Sequence, residues 1–506
     1  MLDAGVEMEP DLQQVLASMR ERPPAEWSAD ALQRIKRPTE LSDRAVPLKA
    51  SFGSLYPYRH APAQLTVDRR GVDALPSYAS GGFSNVWGAT VLPYRARDIA
   101  AWPISVADLA PHYAAAARLL HVAERLDRLA GEFPLFADTP RPLEPSRQAQ
   151  ALMRDLEANA DALEADGWTF GYSRLAVVAA GTEREASVRT ERRASAERSG
   201  CVYCGLCLYG CPYGFIYNAR DTLARLKETG RFSYRPGVVV TRVSESGGRV
   251  RVDAEGESFD ADRVVLAAGA FNTTAILLHS MDAFDVPVRI QDSQLFVLPV
   301  LRYEAVRGAA REPVHTLSQV FIELLDTPLA TGTVHLQVYS YNDWYADAVR
   351  RRTGRLFPIV RPGLNALLER LLIVQGYLPS QSSSGIRATL RRSGSSSTLA
   401  LEADENPAAR PAITRVIAAL KAHRRHMRAV PLSPLLEVGA PGRGYHAGGS
   451  FPMRDVPGRF ESDRWGRPHG FERVHVVDAS VFPSIPSGPI TFTVMANALR
   501  IAAAVE

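Results

Sequence analysis

Hydrophobic positions fall into helical and strand periods in separate stretches of the chain. In ISVADLAPHYAAAARLLHVAERL, from Ile104, Leu109, Tyr113, Ala116, Leu120 and Ala123 recur at helical spacing and predict an amphipathic helix. A Pro-rich linker starts at Arg141, and a second helix is predicted from Gln148 to Asp166. NARDTLARLKETG, residues 218–230, reads as a helix with a glycine just past its end. Two strand-like runs follow, GVVVTRVSES and RVRVDAE, joined through Gly247 and Gly248. Val264 to Ala268 is short and wholly apolar, as expected of a buried parallel strand. It stops at Gly269, and a helix is predicted to start near Thr273.

Both ends of the chain carry the same logic. MLDAG reads as the last residues of a strand that ends at Asp3. Pro-rich, irregular sequence then runs to about Leu65, and Gly81 to Tyr94 is glycine-rich and turn-forming. RVHVVDAS, 473–480, reads as a strand with an acidic residue at its end, FPSIPSGP as a loop, and ITFTVMANALRIAAAVE as a terminal helix. Residues from about 290 to 435 mix strand and helix signals, with SQSSSG and RRSGSSST read as Ser/Gly-rich loops. Buried strands alternating with helices predict an α/β fold. Ligands of open parallel sheets bind at the carboxyl ends of the strands, so Asp3, Gly269 and Asp478 point to one crevice.

Composition narrows the class. A length of 506 residues predicts roughly two to four domains. A net charge of +4 is small, and the arginine clusters (Arg350 to Arg352, Arg391 with Arg392, Arg424 with Arg425) read as solvated faces, which argues against a nucleic-acid partner. No apolar run approaches the roughly 18 residues of a membrane span. No leader pattern follows Met1, and the cysteines do not close long loops, so the expected setting is cytoplasmic and reducing, unless an export signal precedes these residues.

All four cysteines lie in CVYCGLCLYGCP, 201–212. Cys201, Cys204, Cys207 and Cys211 have the C-x2-C-x2-C-x3-C-P spacing of bacterial ferredoxins, in which the fourth cysteine serves another cluster. Two iron–sulfur readings follow: four sulfurs on one [4Fe-4S] cluster, or three on a [3Fe-4S] cluster. A third reading has them as structural thiols.

Four segments, in order, resemble the glucose–methanol–choline (GMC) flavoprotein oxidoreductases. They are GGFSNVWGATVLPY with the following AWPISVADLAPHY, VVLAAGAFNTTAILLHS, YHAGGSFPM, and HVVDASVFPSIPSGPITFTVMANALRIA. The resemblance implies a Rossmann-like FAD-binding domain, N-terminally incomplete here, and a substrate domain with an antiparallel sheet. Its boundaries would be 1–285 for the first FAD part, 286–435 for the substrate domain and 436–506 for the returning FAD part. It implies FAD, and hydride transfer from an alcohol or sugar CH–OH to flavin N5. The proton acceptor would be His446, whose ordinary pKa near 6.5 suits that task. It places Asp3, Gly82, Ser84, Asn85, Trp87, Gly88, Val239, Ala268, Gly269, Asp478, Ala479, Pro489 and Ile490 at the cofactor. The terminal helix would point its positive end at flavin N1 and C2=O. Some membrane-linked sugar dehydrogenases of the family carry a three-iron cluster. A cluster here would favour a dehydrogenase with a protein electron acceptor over an oxidase.

Three departures qualify the match. No Gly-x-Gly-x-x-Gly precedes Asp3, and Gly439 to Gly444 has the wrong order and place. Asp3 fits the ribose-binding acid that follows those glycines, so roughly 30 residues are expected to be missing and Met1 to be an internal methionine. Pro489 stands where the family often has a second histidine or asparagine, leaving Thr491 or Asn497 as substitutes. Val86 precedes Trp87, which rules out the family's covalent flavin–histidine bond at that position. The alternatives to an active enzyme are a non-catalytic or truncated flavoprotein remnant and an iron–sulfur electron-transfer subunit.

Overall fold

The computed structural model describes residues 1–39, 48–59, 65–180, 200–325, 329–344, 354–394 and 396–505. Arg350 to Arg352 lie outside the described residues.

The architecture is mixed α/β with a large antiparallel sheet. That sheet runs Ala429–Pro431, Leu295–Arg302, Leu371–Tyr377, Val334–Tyr339, Val320–Leu324, Trp168–Tyr172, with Glu437–Val438 added beside Leu295–Arg302. The strand Trp168–Tyr172 joins it from outside the 286–435 segment. Alternation sorts the side chains into two faces. Val320, Ile322, Leu324, Val334, Leu336, Val338 and Val374 share a core with Leu152 and Leu156 of helix Arg147–Glu157 and Ile413, Val416 and Leu420 of helix Ala409–Ala422. The opposite positions are polar or aromatic and still buried: Glu323, His335, Gln337 and Tyr377. A buried sheet face that spends its positions on such groups is the side on which to look for chemistry.

The second unit is built from short parallel pairs. Leu2–Asp3 pairs with Arg235–Pro236, and Val264–Leu266 pairs with Val474–Val476. Helix Ala270–Ser280 follows one pair and helix Ile490–Val505 closes the chain, packed against Val106–Leu120. Helix Val106–Leu120 begins in a capping box between Ser105 and Asp108, which satisfies end donors that would otherwise lack partners.

Four local expectations change. The helix expected over 148–166 is two, Arg147–Glu157 and Ala160–Ala165, because the chain turns at Ala158 and Asn159. RRSGSSST is not a loop: Gly385–Ser393 and Ser396–Asp404 form a hairpin, held between Pro287–Asp292 and Leu65–Arg70. Ladder pairing on both sides overrides the low strand preference of serine and glycine. The helix expected near Thr273 already begins at Ala270. Val264–Leu266 is not fully buried, since Val265 is 58% exposed. Among the described residues that strand pairs along one edge only.

Candidate functional site

Asp478 ties the ends of the parallel unit together. Its Oδ2 accepts from Gly269 N at 2.9 Å and Thr273 Oγ1 at 2.5 Å, and its Oδ1 from Ser480 N at 2.9 Å. Gly269 has φ +85°, a conformation glycine adopts without penalty, and so turns the chain from strand to helix directly over this carboxylate. Ala479 lies against the segment that carries the histidine. Gly449 N donates to Ala479 O at 2.8 Å, and a Cβ on Gly448 would stand 2.3 Å from that oxygen.

The His446 segment is held by this contact from one side and by the strand Pro287–Asp292 from the other. The His446 carbonyl accepts from Ser293 N at 3.2 Å, and Ala447–Gly448 pairs with Gln291 and Asp292. The imidazole stacks on Tyr377, with centroids 4.8 Å apart and planes at 24°. Its Nδ1 is buried and has no hydrogen-bond partner among the described residues. Burial is the main cause that holds its pKa down to about 3, so the ring is neutral at physiological pH. A neutral imidazole with an open nitrogen can accept a hydrogen bond from a hydroxyl, while a pKa held this low makes it a weaker base than an ordinary imidazole.

Asp3, Val239 and Ala268 line one crevice of about 710 Å³, together with Ser77, Tyr78 and Asn272. Asp3 Oδ2 accepts from Tyr234 Oη at 2.9 Å. The Oδ1 of Asn272 is buried there with no partner among the described residues, while its Nδ2 donates to Ser77 O and Ala268 O at 3.2 Å each. The three strand-end residues Asp3, Gly269 and Asp478 do not share one cavity lining; Asp3 faces this crevice, and Gly269 and Asp478 bond to each other.

The glycine-rich loop has a different job in part. Gly81 and Gly82 take positive φ and start the turn Gly82–Asn85. Asn85 spends Nδ2 on Ser80 O and Gly82 O and accepts from Asn218 Nδ2 at 2.8 Å. Ser84 Oγ receives Ala219 N at 3.0 Å, so the loop caps helix Ala219–Glu228. Trp87 Nε1 donates to Tyr217 O at 3.0 Å, and Gly88 faces the Tyr339 hydroxyl. Ser84, Asn85 and Trp87 line a cavity of about 460 Å³ with Lys49 and Cys211. Pro489 leads into helix Ile490–Val505, fixed by Ser487 Oγ donating to Thr333 O at 2.7 Å. Asn497 is already engaged by Arg500, which donates to its Oδ1 from Nε and Nη2.

The four cysteines are free thiols around a cavity of about 20 Å³, room for roughly one water. Among the described residues no three His, Cys, Asp or Glu side chains are placed to hold a metal ion. Burial pushes Cys204 up to about 12 and Cys201 higher still, so these two sulfurs are protonated. As placed the four cysteines do not fit a cluster. Lys49 lies beside Cys207 and Cys211, held down to about 8 by burial.

Three groups had no motif to announce them: Tyr377, His335 and Glu323. For Glu323 and His335 the signal that was available is the alternation in VFIEL and VHLQVY, where polar residues interrupt strands apolar at every other position.

Residues 397–498 match the family model described as GMC oxidoreductase. The chain superimposes on pyridoxine 4-oxidase from Mesorbium loti with a TM-score of 0.52 and 16% identity, covering 99% of this chain and 93% of that one. It superimposes on an FAD-dependent oxidoreductase from Chaetomium thermophilum with a TM-score of 0.50 and 13% identity, covering 100% and 98%. No curated protein matches it in sequence. Residues 397–498 thus match a GMC oxidoreductase domain, and the chain as a whole shares the fold of these two solved oxidoreductases.

Proposed function

We propose that this protein is an FAD-dependent oxidoreductase that oxidises the CH–OH group of a small alcohol or sugar, with His446 taking the hydroxyl proton. The observation that carries the reading is the neutral, buried His446, its Nδ1 open, held between Tyr377 and the Asp478–Ser480 segment. The crevice fits an FAD end: its volume, the Asp3 carboxylate at its strand end and the orphaned Asn272 Oδ1 suit a polar, ribose-bearing group. Asp3, Val239, Ala268 and Gly269 would hold that end. Gly82, Ser84, Asn85, Trp87 and Gly88, with Asp478, Ala479, Pro489 and Ile490, would hold the rest.

Bound FAD supplies the hydride acceptor. The chain's own work is to seat the alcohol against His446, exclude water and take the proton, so that CH–OH becomes C=O as one hydride and one proton leave. The similarity in fold to pyridoxine 4-oxidase makes hydroxymethyl aromatics a sensible first substrate set. The preference for a dehydrogenase rested on a cluster that the thiols do not fit, so oxygen belongs in the acceptor set beside artificial acceptors.

One observation favours a second reading, in which these residues alone hold FAD poorly. Leu2–Asp3 and Val264–Leu266 each pair along one edge among the described residues. An apolar cavity of about 500 Å³, lined by Met495, Leu499, Ala502 and Val505 at helical spacing, meets the 710 Å³ crevice at the exposed Val265. The gap suits an apolar parallel strand and its following helix, supplied from outside the described residues. Titrating FAD into the 506-residue chain separates the readings. Stoichiometric uptake at micromolar FAD supports the complete enzyme, and no uptake at any accessible concentration supports the incomplete one.

A further inference from the structure

The His446 ring lacks the anchor that usually orients a histidine base. Such a ring is commonly fixed by a hydrogen bond from its second nitrogen to a carboxylate or a backbone carbonyl. Here Nδ1 is buried without a partner among the described residues. The ring face instead meets Tyr377, with centroids 4.8 Å apart and planes at 24°, within the range of offset aromatic stacking.

Tyr377 is itself braced. It ends the strand Leu371–Tyr377 and pairs with Leu295 on one side and His335 on the other, so two ladders set its register. Glu323, His335 and Tyr377 are direct cross-strand partners on three neighbouring strands, and all three are buried. The His335 ring lies 6.0 Å from the Tyr377 ring, tilted by 35°. It is pinned at both nitrogens: Nδ1 is 2.5 Å from Glu323 Oε1, and Nε2 faces the Gln337 amide nitrogen at 3.1 Å. Gln337 Oε1 in turn accepts from Tyr339 Oη at 3.0 Å. On the loop side, Gly444 brings backbone close to the ring: a Cβ there would stand 3.4 Å from Tyr377 Cε1 and 2.9 Å from Ser293 O. The Tyr377 hydroxyl makes a long hydrogen bond to Gln375 Oε1, at 3.4 Å, so it is the ring face that serves the histidine.

We infer that Tyr377 is a positioning residue for His446: its ring face, backed by the Glu323–His335 row, sets the plane of the imidazole in place of a hydrogen bond to Nδ1. Neither the stacking nor the bracing depends on a charge on His335. The inference rests on the reading of His446 as the proton acceptor. A base must meet the hydroxyl proton at hydrogen-bond distance, and a misplacement near 1 Å costs about 100-fold in rate. A smaller apolar side chain at position 377 frees the imidazole to rotate about its Cβ–Cγ bond.

The experiment pairs NMR of the full chain, labelled at histidine Cε1, with anaerobic reduction of bound flavin by an alcohol that the parent oxidises. The His446 signal is assigned by its loss in His446→Asn. In the parent, the ring current of Tyr377 displaces that signal from the position of a free histidine. Tyr377→Leu removes the displacement and slows flavin reduction at saturating alcohol about 10- to 100-fold, with the half-saturating concentration and FAD affinity near parent values. Tyr377→Phe, which returns the ring without the hydroxyl, recovers both the signal and the rate. Tyr377→Met refills the space with a flexible chain and takes the place of Tyr377→Leu if that variant does not fold. A folded Leu or Met variant with the parent signal or the parent rate, or a Tyr377→Phe as slow as Tyr377→Leu, overturns the inference. Failure of the parent to reduce its flavin with any alcohol strikes the functional reading instead. The His446 signal alone then shows whether Tyr377 holds the ring, and no movement in Tyr377→Leu overturns the inference.

Discussion

Alanine at Gly448 tests whether the histidine segment and the Asp478 segment form one rigid unit. A Cβ there would lie 2.3 Å from Ala479 O and 2.8 Å from Ala479 Cβ, where side-chain contacts do not normally fall below 3.0 Å. The obstacle is backbone on both sides, fixed by the Gly449 N to Ala479 O and Phe451 N to Ser480 O bonds. The two segments must separate by about 0.7 Å or more. Overpacking of this kind costs about 1–3 kcal/mol. A displacement near 1 Å at a reacting group lowers rate about 100-fold. The assay pairs urea unfolding with anaerobic stopped-flow reduction of bound flavin. Gly131→Ala, where a new Cβ meets nothing within 4 Å, is the control. The expected result is a lower unfolding midpoint and a roughly 100-fold slower reduction for Gly448→Ala, with the control at parent values. Parent stability and rate in Gly448→Ala would show that the two segments are not mechanically joined.

Three further outcomes follow from the same geometry. Asp292 is raised from an ordinary 3.8 to about 7 by burial, so the folded state binds its proton more tightly than the unfolded state. Its contribution is therefore favourable below the unfolded value and is lost as pH rises through about 7; urea midpoints should fall between pH 4 and 7, and Asp292→Asn should flatten that slope. Cys201, Cys204 and Cys207 should resist Ellman's reagent at pH 8 in the native chain and react after unfolding, because burial keeps all three protonated; rapid native labelling would contradict the packing. Asp478→Ala should leave Gly269 N, Thr273 Oγ1 and Ser480 N without their acceptor and cost about 3 kcal/mol or more, read as early loss of structure in a melt monitored by circular dichroism.

What could be read from the residues themselves was local. The strand before Asp478, found as Val474–Val476, the turn at Gly269 and the helix expected over 218–230, found as Ala219–Glu228, each follow from contiguous residues. YHAGGSFPM pointed to His446, but nothing in it showed the ring stacked on Tyr377, sixty-nine positions earlier in the chain. The Glu323–His335–Tyr377 row depends on strand register, which is set by long-range pairing rather than by local preference. The hairpin Gly385–Asp404 failed for the same reason, since its Ser-rich tip looks like loop until its neighbours are known. Val265 was expected inside a continuous parallel sheet, and its exposure reflects an edge that no described strand covers. The cysteine spacing matched a ferredoxin, yet spacing does not fix how far the sulfurs converge, and here they enclose only about 20 Å³.

The most direct test is anaerobic reduction of FAD-loaded protein by a panel of hydroxymethyl aromatics and sugars, followed by flavin absorbance, in the parent and in His446→Asn. At least one alcohol is expected to bleach the flavin in the parent. His446→Asn should bind FAD equally and bleach about 100- to 10,000-fold more slowly. Equal bleaching rates in the two proteins would contradict it.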